Sequence, residues 1–347
     1  MQKHHRTRVL WTLRPGLLPR LLLAVLLGLT AGTTVRAQAP LPVVASFSIL
    51  GDLVAQVGGE RVAVNTLVGP GGDAHVYEPT PADARALSEA RLLVTNGLGF
   101  EGWMERLVAA SGFSGIQVVA AEDVVPRRAD SDDPGAHGGD IDPHAWQDPA
   151  NVALYVERIR AGLTKADPAG AADYRARAED YAAALARLDA DIRAALAEIP
   201  PARRQVVTSH DAFGYYADAY AIDFLAPVGV NTEAEASAAD MAALIRQIRA
   251  ESIPAVFVEN ISDPRLVEQI RRETGARAGG TLYSDALSSQ DGPAGTYLDM
   301  MRHNLDTLTA ALVPAPEAVP EQTPEPAPEP APEQAQGVSS TTVNQDR

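Results

Sequence analysis

The chain has 347 residues, carries 45 Asp and Glu against 29 Lys and Arg for a formal charge of −16, and contains no cysteine. That composition excludes disulfides, thiolate metal ligands and a lipid-modified cysteine. A surface this acidic repels phosphate backbones and draws cations, so no nucleic acid partner is expected.

In chain order, the first 37 residues read as an export signal. Lys3, Arg6, Arg8, Arg14 and Arg20 precede an apolar run over 21–29, and small residues then reach Val35, Arg36 and Ala37, with cleavage expected near Ala37. The apolar run is well short of the ~20 residues a membrane-spanning helix needs, so a freely soluble, periplasmic protein is predicted. Removing the segment's six Lys and Arg takes the formal charge from −16 to −22.

Beyond it, short apolar runs over 41–47, 91–96, 205–209, 222–226 and 255–259 read as strands. Helical patterns lie at 49–57, 81–89, 151–165, 238–251 and 264–274. Strand and helix in alternation predict an α/β fold with parallel sheets covered on both faces. From 171 to 199, Tyr174, Ala178, Tyr181, Leu185, Leu188, Ile192 and Leu196 recur at steps of four and three, and no Gly or Pro interrupts them before Pro200. A helix of that length spans ~43 Å. About four heptads inside an α/β pattern argue for a strut between lobes over a coiled-coil seam. The predicted organisation is an N-terminal lobe over 38–168, a linking helix over 169–200 and a C-terminal lobe over 201–313. The segment 314–347, with eight prolines between Pro314 and Pro332, cannot bury a core and reads as an extended, disordered spacer.

Three of the seven histidines stand in separate loop-like settings: His75 in GDAHVYEP, His144 in DPHAWQDP and His210 in TSHDAFGYY. Each alone is an ordinary polar loop residue. Together with Asp285 in LYSDALSS they form a candidate four-ligand metal site, because imidazole is the commonest zinc ligand and loops at strand ends converge in the cleft of an α/β fold. Asp148 reads as a helix cap, Asp142 as either a cap or a group that orients an imidazole. Ser209, His210 and Asp211 invite a nucleophilic reading, which is weak because neighbours in one segment point different ways and no GxSxG elbow is present. Glu78, Glu101 and Glu259 are acids near the cleft without an assignable role, and His303 reads as a helix-surface residue.

The runs GGDAHVYEPTPAD, NGLGFEGWM, DPHAWQDPAN, TSHDAFGYYADAYAI, GVNTEAEASAADMAALI, VFVENISDPRLVEQI and LYSDALSSQDGPAGTYLDMMRHNLDTL, taken in order, resemble the zinc/manganese branch of ABC-transporter solute-binding proteins. The resemblance covers about 41–312. It implies two (β/α) lobes joined by one long rigid helix, a single divalent ion held in the interlobe cleft at His75, His144, His210 and Asp285, and delivery of that ion to a membrane permease. Three imidazoles and one carboxylate favour Zn2+ over Mn2+, since nitrogen donors and four-coordination suit zinc and oxygen-rich sites suit manganese. Many zinc-binding relatives carry a long His-rich loop, whereas this chain has only RRADSDDPGAHGGDID with His137. That segment is either a weak zinc recruiter or a solvated loop, and the second reading is preferred. The expected protein is a monomer and not an enzyme, with a permease and a zinc metallochaperone as candidate partners. The alternatives are a manganese-binding member of the same family, a secreted zinc hydrolase, against which the absence of HExxH counts, and a metal-dependent adhesin. Zinc affinity is expected to fall below pH ~6.5, the ordinary histidine value.

Overall fold

The computed structural model describes residues 39–129 and 140–313, together with Gln2 and Leu10. The rest of the predicted signal segment, the loop carrying His137 and the Pro/Glu-rich tail lie outside the described residues.

The run LPVVASF forms strand β1 (Leu41–Phe47), buried at all but one position, and it takes an interior place in the first sheet. With β2 (Val62–Val68), β3 (Leu92–Thr95) and β4 (Ile116–Val119) it makes the order β2-β1-β3-β4, every pair parallel. Parallel neighbours need long crossovers, here helices α1 (Ser48–Gly58), α2 (Pro81–Glu89) and α3 (Met104–Ser111), followed by α4 (Pro149–Ala166). Polar residues set the helix starts: Thr80 and Asp83 form a capping box on α2, and Asp148 accepts from Ala150 N at the start of α4.

Helix α5 (Ala171–Ala197) buries the seven residues of its predicted stripe. It is about 40 Å long at 1.5 Å per residue. It is not a bare strut, because α4, α1 and the last helix pack along it.

The second sheet has the order β6-β5-β7-β8, also parallel, from β5 (Gln205–Val207), β6 (Asp223–Leu225), β7 (Ala255–Glu259) and β8 (Arg277–Leu282). Helices α6 (Gly214–Tyr220), α7 (Ala238–Glu251), α8 (Pro264–Thr274) and α9 (Tyr297–Leu312) accompany it. The register shifts where Val256 pairs with Ala278 but Phe257 pairs with Gly280, which leaves Gly279 as the extra residue of a bulge. A Cβ on Gly279 would sit 2.3 Å from the Phe257 ring, so the bulge requires glycine.

The larger of two apolar clusters reaches both sheets. It runs from Leu41 through the α5 stripe to Leu312, while the smaller one, with Val207, Leu244, Val256 and Ile270, lies under α7 and α8. Buried hydrogen bonds stitch the halves: Trp146 Nε1 and Gln147 Nε2 both donate to Ser284 O at 2.8 Å, Tyr297 Oη donates to Trp146 O at 2.8 Å, and Leu287 N donates to Ser48 Oγ at 2.9 Å. The sequence reading missed β2, β4 and β8. All three are outer or short strands whose residues are partly exposed, so they lack the continuous apolar signal of β1 and β7.

Candidate metal centre

The loops after the strand ends bring His75, His144, His210 and Asp285 together. One donor atom from each lies within 4.8 Å of every other, and all four residues are buried. His75 comes from the loop after β2, His144 from the turn before α4, His210 from the end of β5 and Asp285 from the end of β8. His75 Nε2 lies 3.3 Å from His144 Nε2 and 3.2 Å from Asp285 Oδ2, His210 Nε2 lies 3.3 Å from Asp285 Oδ2, and His144 Nε2 lies 3.6 Å from Asp285 Oδ1. For an ion bound tetrahedrally at ~2.1 Å, neighbouring donors stand about 3.4 Å apart, so these four separations suit a small divalent cation.

Each donor is held by a neighbour. His144 Nδ1 lies 2.8 Å from Asp142 Oδ1, which also accepts from His144 N, so the ring is fixed with Nε2 toward the centre. Asp142 therefore orients an imidazole, the role that the sequence left open. His210 Nδ1 lies 2.6 Å from Glu259 Oε2, at an angle short of a good hydrogen bond, while Glu259 Oε1 accepts from Ser209 N at 2.7 Å and His210 N at 2.8 Å. Carboxylates behind ligating imidazoles fix the tautomer and raise ligand basicity. His75 N donates to Asp73 Oδ1 at 2.9 Å, and Phe100 meets the His75 ring edge-on at 4.7 Å. Asn260 brackets Asp285 by accepting from Ser284 N and donating to Ala286 O, and neither Asp285 oxygen has a hydrogen-bond partner. Asn260 was missed in the sequence, although it directly follows Glu259 at the end of β7.

The remaining candidates separate cleanly. Glu101 is buried and accepts from Ser46 Oγ, Asn96 N and Gly97 N, bracing the ends of β1 and β3. Glu78 is exposed. His303 lies on α9, with Nε2 3.1 Å from Thr281 O. Ser209, His210 and Asp211 form no relay, because the His210 nitrogens face Glu259 and Asp285.

The electrostatics favour charge on His144, His210 and Asp285 and a neutral His75. Burial opposes charge on His144, but Asp285 and Asp142 outweigh it and push its pKa up to about 9. His210 is likewise raised well above the ordinary histidine value, with Glu259 and Asp285 overcoming burial. Burial lowers His75 despite Asp285. Asp285 is held well below the usual carboxylate range, burial being outweighed by His210 and His144. A divalent cation can replace these protons and neutralise the carboxylates in one step.

Two parallel-sheet lobes that project buried imidazole and carboxylate donors into the space between them define a metal-binding solute-binding protein. Residues 43–311 match the family described as zinc-uptake complex component A, periplasmic, and the chain belongs to that family. It is 36% identical over 273 residues to the manganese-binding lipoprotein MntA of Halalkalibacterium halodurans, covering 78% of this chain and 88% of the relative. It is 34% identical over 276 residues to the zinc-binding protein TroA of Treponema pallidum, again covering 78% and 88%. The solved structure of the latter superposes with a TM-score of 0.74 at 33% identity, covering 80% of this chain and 100% of that one. A manganese-bound periplasmic metal-binding protein from Candidatus Liberibacter asiaticus superposes with a TM-score of 0.70 at 31% identity, covering 78% and 99%. The chain is thus a metal-binding component of an ABC transporter that works with a membrane permease and an ATPase, and it is not an enzyme. That removes the hydrolase reading.

Proposed function

We propose that this protein, exported and cleaved near Ala37, captures Zn2+ in the periplasm through His75, His144, His210 and Asp285 and delivers it to the permease. The observation that carries the reading is the nitrogen-rich donor set: two imidazoles backed by carboxylates at Nδ1, a third from the His75 loop and a single aspartate. Zinc prefers nitrogen donors and accepts four-coordination, whereas manganese favours oxygen-rich sites. In this reading 38–168 and 201–313 are the two gripping lobes, 169–200 joins them, and the protein acts as a monomer, loaded directly or by a metallochaperone.

A second reading, manganese, is favoured by one observation. Both oxygens of Asp285 are free of hydrogen bonds, so the carboxylate can chelate and supply a fifth donor to a harder ion. Relatives with manganese-binding and zinc-binding names stand at similar identity. Competition titration of the metal-free protein decides between them. One tight Zn2+ per chain with much weaker Mn2+ supports zinc, while equal or tighter Mn2+ binding replaces it with manganese.

A further inference from the structure

The four proposed ligands are buried, so an ion needs a route to them. A cavity of about 520 Å³ opens against His210, between the loop that carries His75 and the outer loops of the second sheet. Its wall includes Asp73, Ser209, Thr232, Ala234, Glu235 and Asp263. Ser209 is buried, and its Oγ has no hydrogen-bond partner. Three carboxylates face one guanidinium, Arg265, which is paired with Asp263, so the cavity presents net negative charge to a cation. One bond crosses the wall. Thr232 Oγ1, from the loop between β6 and α7, donates to Asp73 Oδ2 at 2.7 Å, while Asp73 Oδ1 accepts from His75 N at 2.9 Å. One carboxylate thus both shapes the turn that presents His75 and ties it to the opposite side of the cavity.

Resting on the ligand assignment above, we infer that this cavity is the ion's path to and from His210 and that the Asp73–Thr232 bond is the gate across it, with Asp73 as a positioning residue for His75. The gate lies beside the donors and contributes none of them. Loosening it lowers a barrier common to capture and release, and a common barrier cancels in the equilibrium constant. Damage to the donor geometry behaves differently, because it speeds release without speeding capture.

Stopped-flow exchange of Zn2+ between the full mature protein and a fluorescent chelator separates the two. Thr232→Val, which keeps the side-chain shape and removes the hydroxyl, is expected to raise the capture and release rates together by about 3- to 10-fold, the equivalent of one hydrogen bond, with Kd within twofold of the parent. Ala234→Trp, at an exposed position on the cavity wall, is expected to slow both rates by a common factor. Faster release alone with a weakened Kd in Thr232→Val, or unchanged rates in Ala234→Trp, overturns the route. His210→Ala distinguishes this failure from that of the ligand assignment: if that variant still binds one tight Zn2+ per chain, the assignment falls. If zinc depends on His210 yet the paired rate changes are absent, the route alone falls.

Discussion

Glu259→Gln tests the centre with almost no change of volume. The carboxylate faces three donors: Ser209 N at 2.7 Å, His210 N at 2.8 Å and His210 Nδ1 at 2.6 Å. A glutamine has one acceptor oxygen and one NH2, so it cannot serve all three. If the oxygen keeps the two backbone N–H groups, the NH2 faces Nδ1 and favours the tautomer with its proton on Nε2, the nitrogen that must hold the ion. If the oxygen turns to Nδ1, the NH2 opposes two buried N–H donors. Loss of a partner behind a ligating imidazole weakens metal binding by about 10- to 100-fold, or ~1.4–2.8 kcal/mol. A smaller effect runs the other way. Glu259 helps hold the His210 proton in the metal-free state, so its removal eases proton competition as pH falls. The variant should therefore lose most affinity at alkaline pH and lose progressively less toward acid. Chelator competition titrations of parent and variant from pH 6 to about 9 measure both effects. An affinity within twofold of the parent at the alkaline end would refute the orienting role of Glu259.

Zinc affinity of the parent should begin to fall well above pH 6.5, because His144 is held up to about 9 and His210 is raised as well. Proton release on zinc addition, measured calorimetrically in buffers of different ionisation enthalpy, checks this; release of no protons at pH 7.5 contradicts it. Without metal, the contribution of the four site residues to stability should peak near pH 6.5, while Asp211, pushed up to about 6 by burial and Asp142, favours the acid side of that value. The raised His144 and His210 contribute stability that is full below their unfolded value and lost as pH climbs toward their folded ones, whereas the lowered His75 and Asp285 lose theirs on acidification. Thermal melts of the chelator-treated protein across pH, with zinc-saturated protein as the contrast, test the sign on each side. Leu188→Ala on the buried stripe of α5 should cost about 2–5 kcal/mol of stability by urea denaturation, against under ~0.5 kcal/mol for the exposed Arg187→Ala.

Much of the frame could be read directly. The stripe of α5 was visible because its seven apolar positions repeat from Tyr174 to Leu196 without a breaker, and all seven are buried. Helices α2, α7 and α8 have the bounds read from their helical patterns. Strand β2 was not legible. Its burial alternates between half-covered and exposed positions, as befits an edge, and VAVNTLV carries polar residues in its middle. Nor was β8, where RAGGTL owes its place to a bulge against Phe257 and not to apolar content.

The sequence alone determined the long helix, the interior strands, the alternation of strand and helix and the residue types able to grip a cation, since periodicity and donor chemistry are local properties. It also allowed Asp142 and Glu259 as neighbours of the site. Only the tertiary structure decided that residues 210 positions apart, from His75 to Asp285, end within hydrogen-bonding distance of one another, that Asp142 and Glu259 stand behind His144 and His210, and that His144 holds its proton up to about 9. Those outcomes depend on which strand ends meet and on how little water remains between them. In a buried pocket the balance of desolvation and neighbouring charge sets the chemistry, and neither is written in local sequence.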